Sequence, residues 1–270
     1  MTITEIRTYC TVALVVSALV LIALERFFPY DKGQKIFRSQ FFNDFVYYAL
    51  IQSYVLGMII SYLIQWFDGA TGLSRLHLVS NWGIGWQLLF FFVIHDCYIY
   101  WFHRFQHKSK YFWRLHEAHH STEDVDWLSG TRSHSIEILI NQGIEYGVIL
   151  CLGASPEVAV LKGLIDGVWG MYIHSNINVH SGWLQHIING PEMHRWHHAI
   201  DDDAQNKNFS TKLAIWDWMF GTAFLPEARK PKAYGLGDPT FPDQYIDQHF
   251  YAFRPQEKNE TDSEAGLVLP

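Results

Sequence analysis

HDCYIYWFHRFQHKSKYFWRLHEAHH, residues His95–His120, holds six histidines in 26 positions. The stretch starts inside an apolar run, Trp82–Phe102, and passes into a basic, aromatic segment. His103 and His107 are spaced i, i+4, and His116, His119 and His120 are spaced i, i+3, i+4. HRWHH, His194–His198, repeats the second spacing further along the chain. On helices, each set presents its imidazoles along one face. Neutral imidazole ligates zinc, copper, iron and nickel, and a structural zinc needs only four ligands. The eight box histidines therefore predict two metal ions, each with several imidazoles and an open position. His95 stands about 80° around the helix from His103 and ranks below the ligands. Asp96, Tyr100, His103 and His107 share a stripe, which places Asp96 to orient the free ring N–H of a ligand. His77, His186 and His249 lie outside the boxes.

Outward from this stretch, the chain reads as partly lipid-embedded. Of its 270 residues, 49% are hydrophobic and 16% aromatic, and only 17% are charged, against the usual quarter. A mean hydropathy of -0.02 is too polar for a pure membrane bundle, so a substantial polar part is expected. The net charge of -7 argues against a nucleic-acid partner. The three cysteines, Cys10, Cys97 and Cys151, sit in apolar segments without metal or redox spacing.

Five apolar segments are expected to be helical: Tyr9–Leu24, Phe45–Phe67, Trp82–Phe102, Ile136–Leu152 and Val158–Ile173. The first is read as a retained span rather than a signal peptide, because no small-x-small site follows it. The last pair, joined by Gly153–Pro156, carries Glu137, Glu145, Lys162 and Asp166. Ionisable groups are costly in lipid, and Lys162 and Asp166 are spaced i, i+4 to pair. Lys and Arg concentrate in segments 25–40, 103–133 and from 194 onward, with one in 68–81 and none in 153–157. Five crossings with the basic segments inside satisfy the positive-inside rule and put every histidine box on the cytoplasmic side. The expected fold is all-α, a membrane bundle of four to five spanning or interfacial helices under a helical cap. Residues 1–83 form N-terminal membrane helices and 84–225 the histidine-box domain. Residues 226–270 form a C-terminal segment with a disordered tail beyond Arg254.

HRFQH (His103–His107), HEAHH (His116–His120) and HRWHH (His194–His198) together resemble the fatty acid hydroxylase superfamily, also called the sterol desaturase family, of membrane di-iron enzymes. Asp96-x-x-x-Tyr100-Trp101, Trp113-Arg114, Arg132-Ser133-His134 with Glu137, His174-Ser175-Asn176, Asn208-Phe209, Trp216-Asp217 and Phe220-Gly221-Thr222 also match its pattern in order. Ser135 replaces the usual proline, and Phe209-Ser210 stands where Tyr-Gly is common. The resemblance implies nine ligands: His103, His107, His116, His119, His120, His174, His194, His197 and His198, with His180 a candidate tenth. It gives Asp96, Tyr100, His134, Glu137, Asn176, Asn208 and Asp217 supporting or substrate-facing roles. It further implies two iron ions, replaceable by zinc in purified protein, O2 as co-substrate and a lipid from the bilayer. No flavin, haem or nicotinamide fingerprint is present, so electrons are expected from an external donor of cytochrome b5, ferredoxin or reductase type. The activity implied is hydroxylation of a lipid C–H bond, with desaturation on the same centre as the alternative. The setting expected is a bacterial inner membrane rather than the endoplasmic reticulum.

Two other readings compete. HEAHH fits the zincin pattern His-Glu-x-x-His, with Glu117 as general base, but leaves His119 and the other boxes unexplained. A metal transporter should place its ligands near the bilayer midplane within broken helices, whereas these boxes lie in polar segments.

Overall fold

The computed structural model describes residues 1–255, and all regular structure among them is helical. The tail expected to be disordered lies, from residue 256, outside the described residues. The five long helices fall on the five apolar segments: α1 (Ile3–Phe27), α2 (Asn43–Thr71, its first ten residues π-helical), α3 (Ile84–Lys108), α5 (Ser135–Cys151) and α6 (Pro156–His174). Four shorter helices complete the order: α4 (Lys110–His120), α7 (Pro191–His197), α8 (Ile215–Met219) and α9 (Tyr245–Tyr251).

Local chemistry sets the helix ends. Thr2 and Glu5 form a capping box at the start of α1. Gly72 takes the left-handed conformation that closes α2. Gly153, at φ 72°, makes the turn between α5 and α6, where a Cβ would stand 2.7 Å from the Ser74 carbonyl oxygen. Pro156 then opens α6 in the first turn, where a missing N–H costs nothing.

α1 packs on α6, α2 on α5, and α3 on both α4 and α6. α1 and α2 are long and apolar enough to cross a membrane, and both turn large apolar side chains outward, including Val12, Val15, Leu19, Tyr54, Tyr62 and Trp66. The other three expected crossings, α3, α5 and α6, do not reach that combination of length and hydropathy: α5 has only 17 residues, α6 carries Glu157, Lys162 and Asp166, and polar residues including His95 and Asp96 interrupt α3. Lys162 on α6 donates to Asp166 (2.6 Å), as its spacing predicts, and also to Glu145 on α5. His95 on α3 lies 2.9 Å from the same ammonium through Nδ1. His95 is thus part of an interhelix charge cluster, which accounts for its separation from the boxes. The charges pair inward and leave the apolar faces outward, so their burial does not require contact with lipid.

Candidate metal centre

The two boxes of the opening stretch meet because α3 ends at Ser109, which is extended (φ -100°, ψ 118°) and starts α4 in a new direction. α3 brings His103 and His107, α4 brings His116, His119 and His120, α6 ends on His174, and α7 brings His194 and His197, with His198 just after it. These nine fall into two groups, His103, His107, His116, His120, His197 and His119, His174, His194, His198. Within each group one ring nitrogen per residue lies within 4.8 Å of all the others. Helical phase divides the boxes. His116 and His120, one turn apart, face the first group while His119 turns to the second, and α7 sends His194 and His198 one way and His197 the other.

Outer contacts set the ring tautomers. His103 donates through Nδ1 to the Phe209 carbonyl (2.8 Å), His119 to Arg132 (2.8 Å), His174 to Gly170 (2.7 Å) and His197 to Lys207 (2.8 Å). His116 Nδ1 faces the Glu137 carboxylate at 3.1 Å. Each such bond leaves Nε2 as a bare lone pair turned inward. His119 Nε2 and His174 Nε2 are 3.3 Å apart with both Nδ1 protons already committed, so no hydrogen is left to place between them. His107, His120 and His197 also bury Nε2 without a hydrogen-bond partner. Converging lone pairs without protons fit a cation, and all-imidazole groups suit a transition metal.

Burial keeps the rings neutral. The pKa of His116 is lowered to about 3, by desolvation and then by His174, and that of His119 to about 4, by desolvation and then by His116. His120, His194, His197 and His198 are likewise pushed well below 6.5, chiefly by burial. Between the folded and unfolded values the unfolded chain holds more protons, so stability falls as pH drops through 6.5. Metal-free protein is therefore expected to weaken steeply from pH 7.5 to 5.5, each such histidine contributing up to about 1.4 kcal/mol per pH unit below 6.5. Restored metal should offset the loss. Thermal melts in detergent, with and without chelator, measure this; a metal-free curve flat across that window would contradict it.

The supporting residues take several roles. Asp217 accepts from the backbone N–H groups of Phe209 (2.8 Å) and Ser210 (2.9 Å) and so fixes the carbonyl that orients His103. Asn208, itself at φ 55°, bridges the Met193 carbonyl (2.8 Å) and Phe224, tying α7 to that loop. Tyr100 bonds Thr222 (2.9 Å). Asp96 orients no ligand ring; it takes Thr211, the Lys212 and Leu213 amides and the Trp216 indole, anchoring the same loop. Asn176 faces the exit of α1 rather than the histidines, exchanging hydrogen bonds with the Asp31 backbone. His134 caps α5 and meets the His249 carbonyl. His180 is exposed, 3.7 Å from Glu192, and joins neither group. Glu117 pairs with Arg114 (2.7 Å) instead of facing the metal groups, which removes the base that the zincin reading requires. Gly130 escaped sequence reasoning: a Cβ there would stand 2.5 Å from His174 Nδ1. The four orienting carbonyls escaped it as well, because main-chain acceptors leave no residue-type signal.

Outward apolar helices together with two buried imidazole groups define a helical membrane protein with a candidate metal centre. The sequence profile of the fatty acid hydroxylase family matches residues 88–222, half of the chain, and the chain belongs to that family. It is 28% identical over 230 residues to ornithine lipid hydroxylase OlsE of Rhizobium tropici, covering 82% of this chain and 68% of that protein. It is 33% identical over 180 residues to alkylglycerol monooxygenase of Xenopus tropicalis, covering 64% of this chain and 40% of that protein. Methylsterol monooxygenase 1-3 of Arabidopsis thaliana is 29% identical over 158 residues, 55% of this chain and 52% of that protein. No solved structure matches the chain.

Proposed function

We propose that the nine histidines hold two iron ions and that the protein hydroxylates a C–H bond of a membrane lipid. Overall, one O2, two electrons and two protons convert R–H to R–OH and water. The observation that carries the reading is the pair of proton-free nitrogens on His119 and His174, facing each other at 3.3 Å inside a closed imidazole group. The names of the relatives supply the reaction class. Bound iron would supply the O2-activating redox chemistry that side chains lack.

The chain's own part is to hold and orient. Glu137 receives the outer N–H of His116 and keeps that ring's inner nitrogen free. The Asp217-clamped loop does the same for His103. Enclosure of all nine rings limits water at the centre, which protects an oxidant from unproductive quenching. Electrons come from a separate donor protein of cytochrome b5, ferredoxin or reductase type at the histidine side. By the positive-inside distribution that side is cytoplasmic, and the coverage of the Rhizobium protein favours a bacterial inner membrane. Desaturation stays the alternative outcome, since the same ligand set serves both.

His119→Ala is expected to lower bound metal from two ions per chain to one and to abolish the hydroxylated lipid. Metal analysis of purified protein and lipidomics of cells with and without the gene test this. Unchanged metal content and an unchanged lipid profile would sink the assignment.

A further inference from the structure

A cavity of about 400 Å³ lies beside the histidine centre, between the segment following α1 and residues 230–234. Arg195, within HRWHH, lines it. The other two enclosed arginines have carboxylate partners: Arg38 pairs with Asp44 and Asp126, and Arg132 with Asp44. Arg195 is 3% exposed, yet no carboxylate among the described residues lies within ion-pair distance of it. Its terminal nitrogen donates to the Ser175 (3.3 Å) and Ile177 carbonyls, its Nε–H has no partner, and its guanidinium lies over the Tyr30 ring at 3.8 Å. A buried cation with no directly paired carboxylate is costly, Glu192 acting on it only from beyond ion-pair distance, and a ligand oxyanion would supply the missing partner. Planar guanidinium is the group best shaped for a phosphate or carboxylate.

The rest of the lining carries both signs. Lys230 lies over the same Tyr30 ring at 4.3 Å, and Lys232 stands beside it. Asp31, Glu123 and Asp124 line the same cavity. Such a lining suits a group bearing an oxyanion and an ammonium together better than a purely anionic one. The position suggests the source of that group. Tyr30 lies three residues beyond the end of membrane helix α1, next to Phe27 and Phe28, which are 77% and 60% exposed, as residues at a bilayer surface are.

We propose that this cavity seats the zwitterionic headgroup of a bilayer lipid, with its oxyanion at Arg195 and its amine toward the acidic residues. The proposal rests on the lipid reading above and narrows its substrate class. Because Arg195 is enclosed and beside metal ligands, the exposed lysines carry the test. The metal-loaded full chain is placed in nanodiscs of neutral lipid doped with phosphatidylethanolamine or phosphatidylglycerol, without reductant, and binding is read by native mass spectrometry. Phosphatidylethanolamine should bind more tightly than phosphatidylglycerol. The double variant Lys230→Glu, Lys232→Glu should weaken phosphatidylethanolamine roughly tenfold or more at unchanged metal content. Equal retention of the two lipids, or no effect of the double variant, would overturn the proposal. So would inorganic phosphate competing as strongly as the lipid, which would make the cavity a free-phosphate site. Since binding is read without turnover, selective retention by a protein that hydroxylates nothing would count against the oxygenase reading alone. Turnover without selective retention would count against the headgroup site alone.

Discussion

On the proposed two-iron reading, Gly130→Ala is expected to weaken metal binding in the second histidine group and to lower hydroxylation by about one to two orders of magnitude, with the helical fold kept. The new methyl would lie 2.5 Å from Nδ1, 2.9 Å from Cε1 and 3.0 Å from Cγ of His174. The ring has no free direction in which to retreat. It is bonded to Gly170 at 2.7 Å, and its inner edge lies 3.3 Å from His119 Nε2 and 2.8 Å from His194 Nε2. The turn carrying Gly130 is pinned too, through the Ser129 N–H to Asp126 (2.9 Å) and the Thr131 hydroxyl to Leu128 (2.8 Å). Overpacking of this kind typically costs about 1–3 kcal/mol, and here the least constrained response is to tilt His174 out of its group. Gly143→Ala is the control, since nothing lies within 4 Å of the added methyl. Metal analysis and product quantification on both variants decide the matter; a Gly130→Ala protein with full metal and activity would refute the packing argument.

Asp44→Ala should destabilise the protein by roughly 3–5 kcal/mol, the usual cost of stranding a buried charge. Asp44 is fully enclosed at the start of α2. It accepts from Arg132 Nε at 2.6 Å and lies 2.7 Å from Arg38. Without it Arg38 keeps Asp126, to which it donates twice at 3.0 Å. Arg132 keeps only the neutral oxygens of Ser121 and Gln40. The Arg132 carbonyl is the acceptor that orients His119, so the loss also reaches the second histidine group. Asp44→Asn keeps the shape and removes the charge, and should rank between wild type and alanine. Thermal denaturation in detergent, with metal content measured in parallel, tests both; an Asp44→Ala melting temperature equal to wild type would show that the pair contributes nothing.

Much of this was legible beforehand because it depends on local periodicity. Uninterrupted apolar runs require helices, and the long helices fall where those runs lie. The i, i+3, i+4 histidine spacings predict shared faces whatever the surroundings. The pairing of Lys162 with Asp166 is of the same kind, one turn of one helix. Asp96 shows the limit. It is buried on α3 with Tyr100, His103 and His107, but the loop at Thr211–Trp216 takes both its oxygens.

The apolar runs and the histidine boxes determined by themselves that the chain is helical, lipid-associated and rich in imidazoles at metal-ligand spacing, because those properties follow from residue type and helical phase. Tertiary structure alone decided which histidines of separate segments meet. Two helices, α4 and α7, each serve both groups, and each group draws on residues far apart in sequence, from His103 to His197 and from His119 to His198. It also decided that Gly130 must be bare and that four main-chain carbonyls aim the rings. Packing distances and main-chain acceptors arise only when separate segments meet, and no spacing within one segment encodes them.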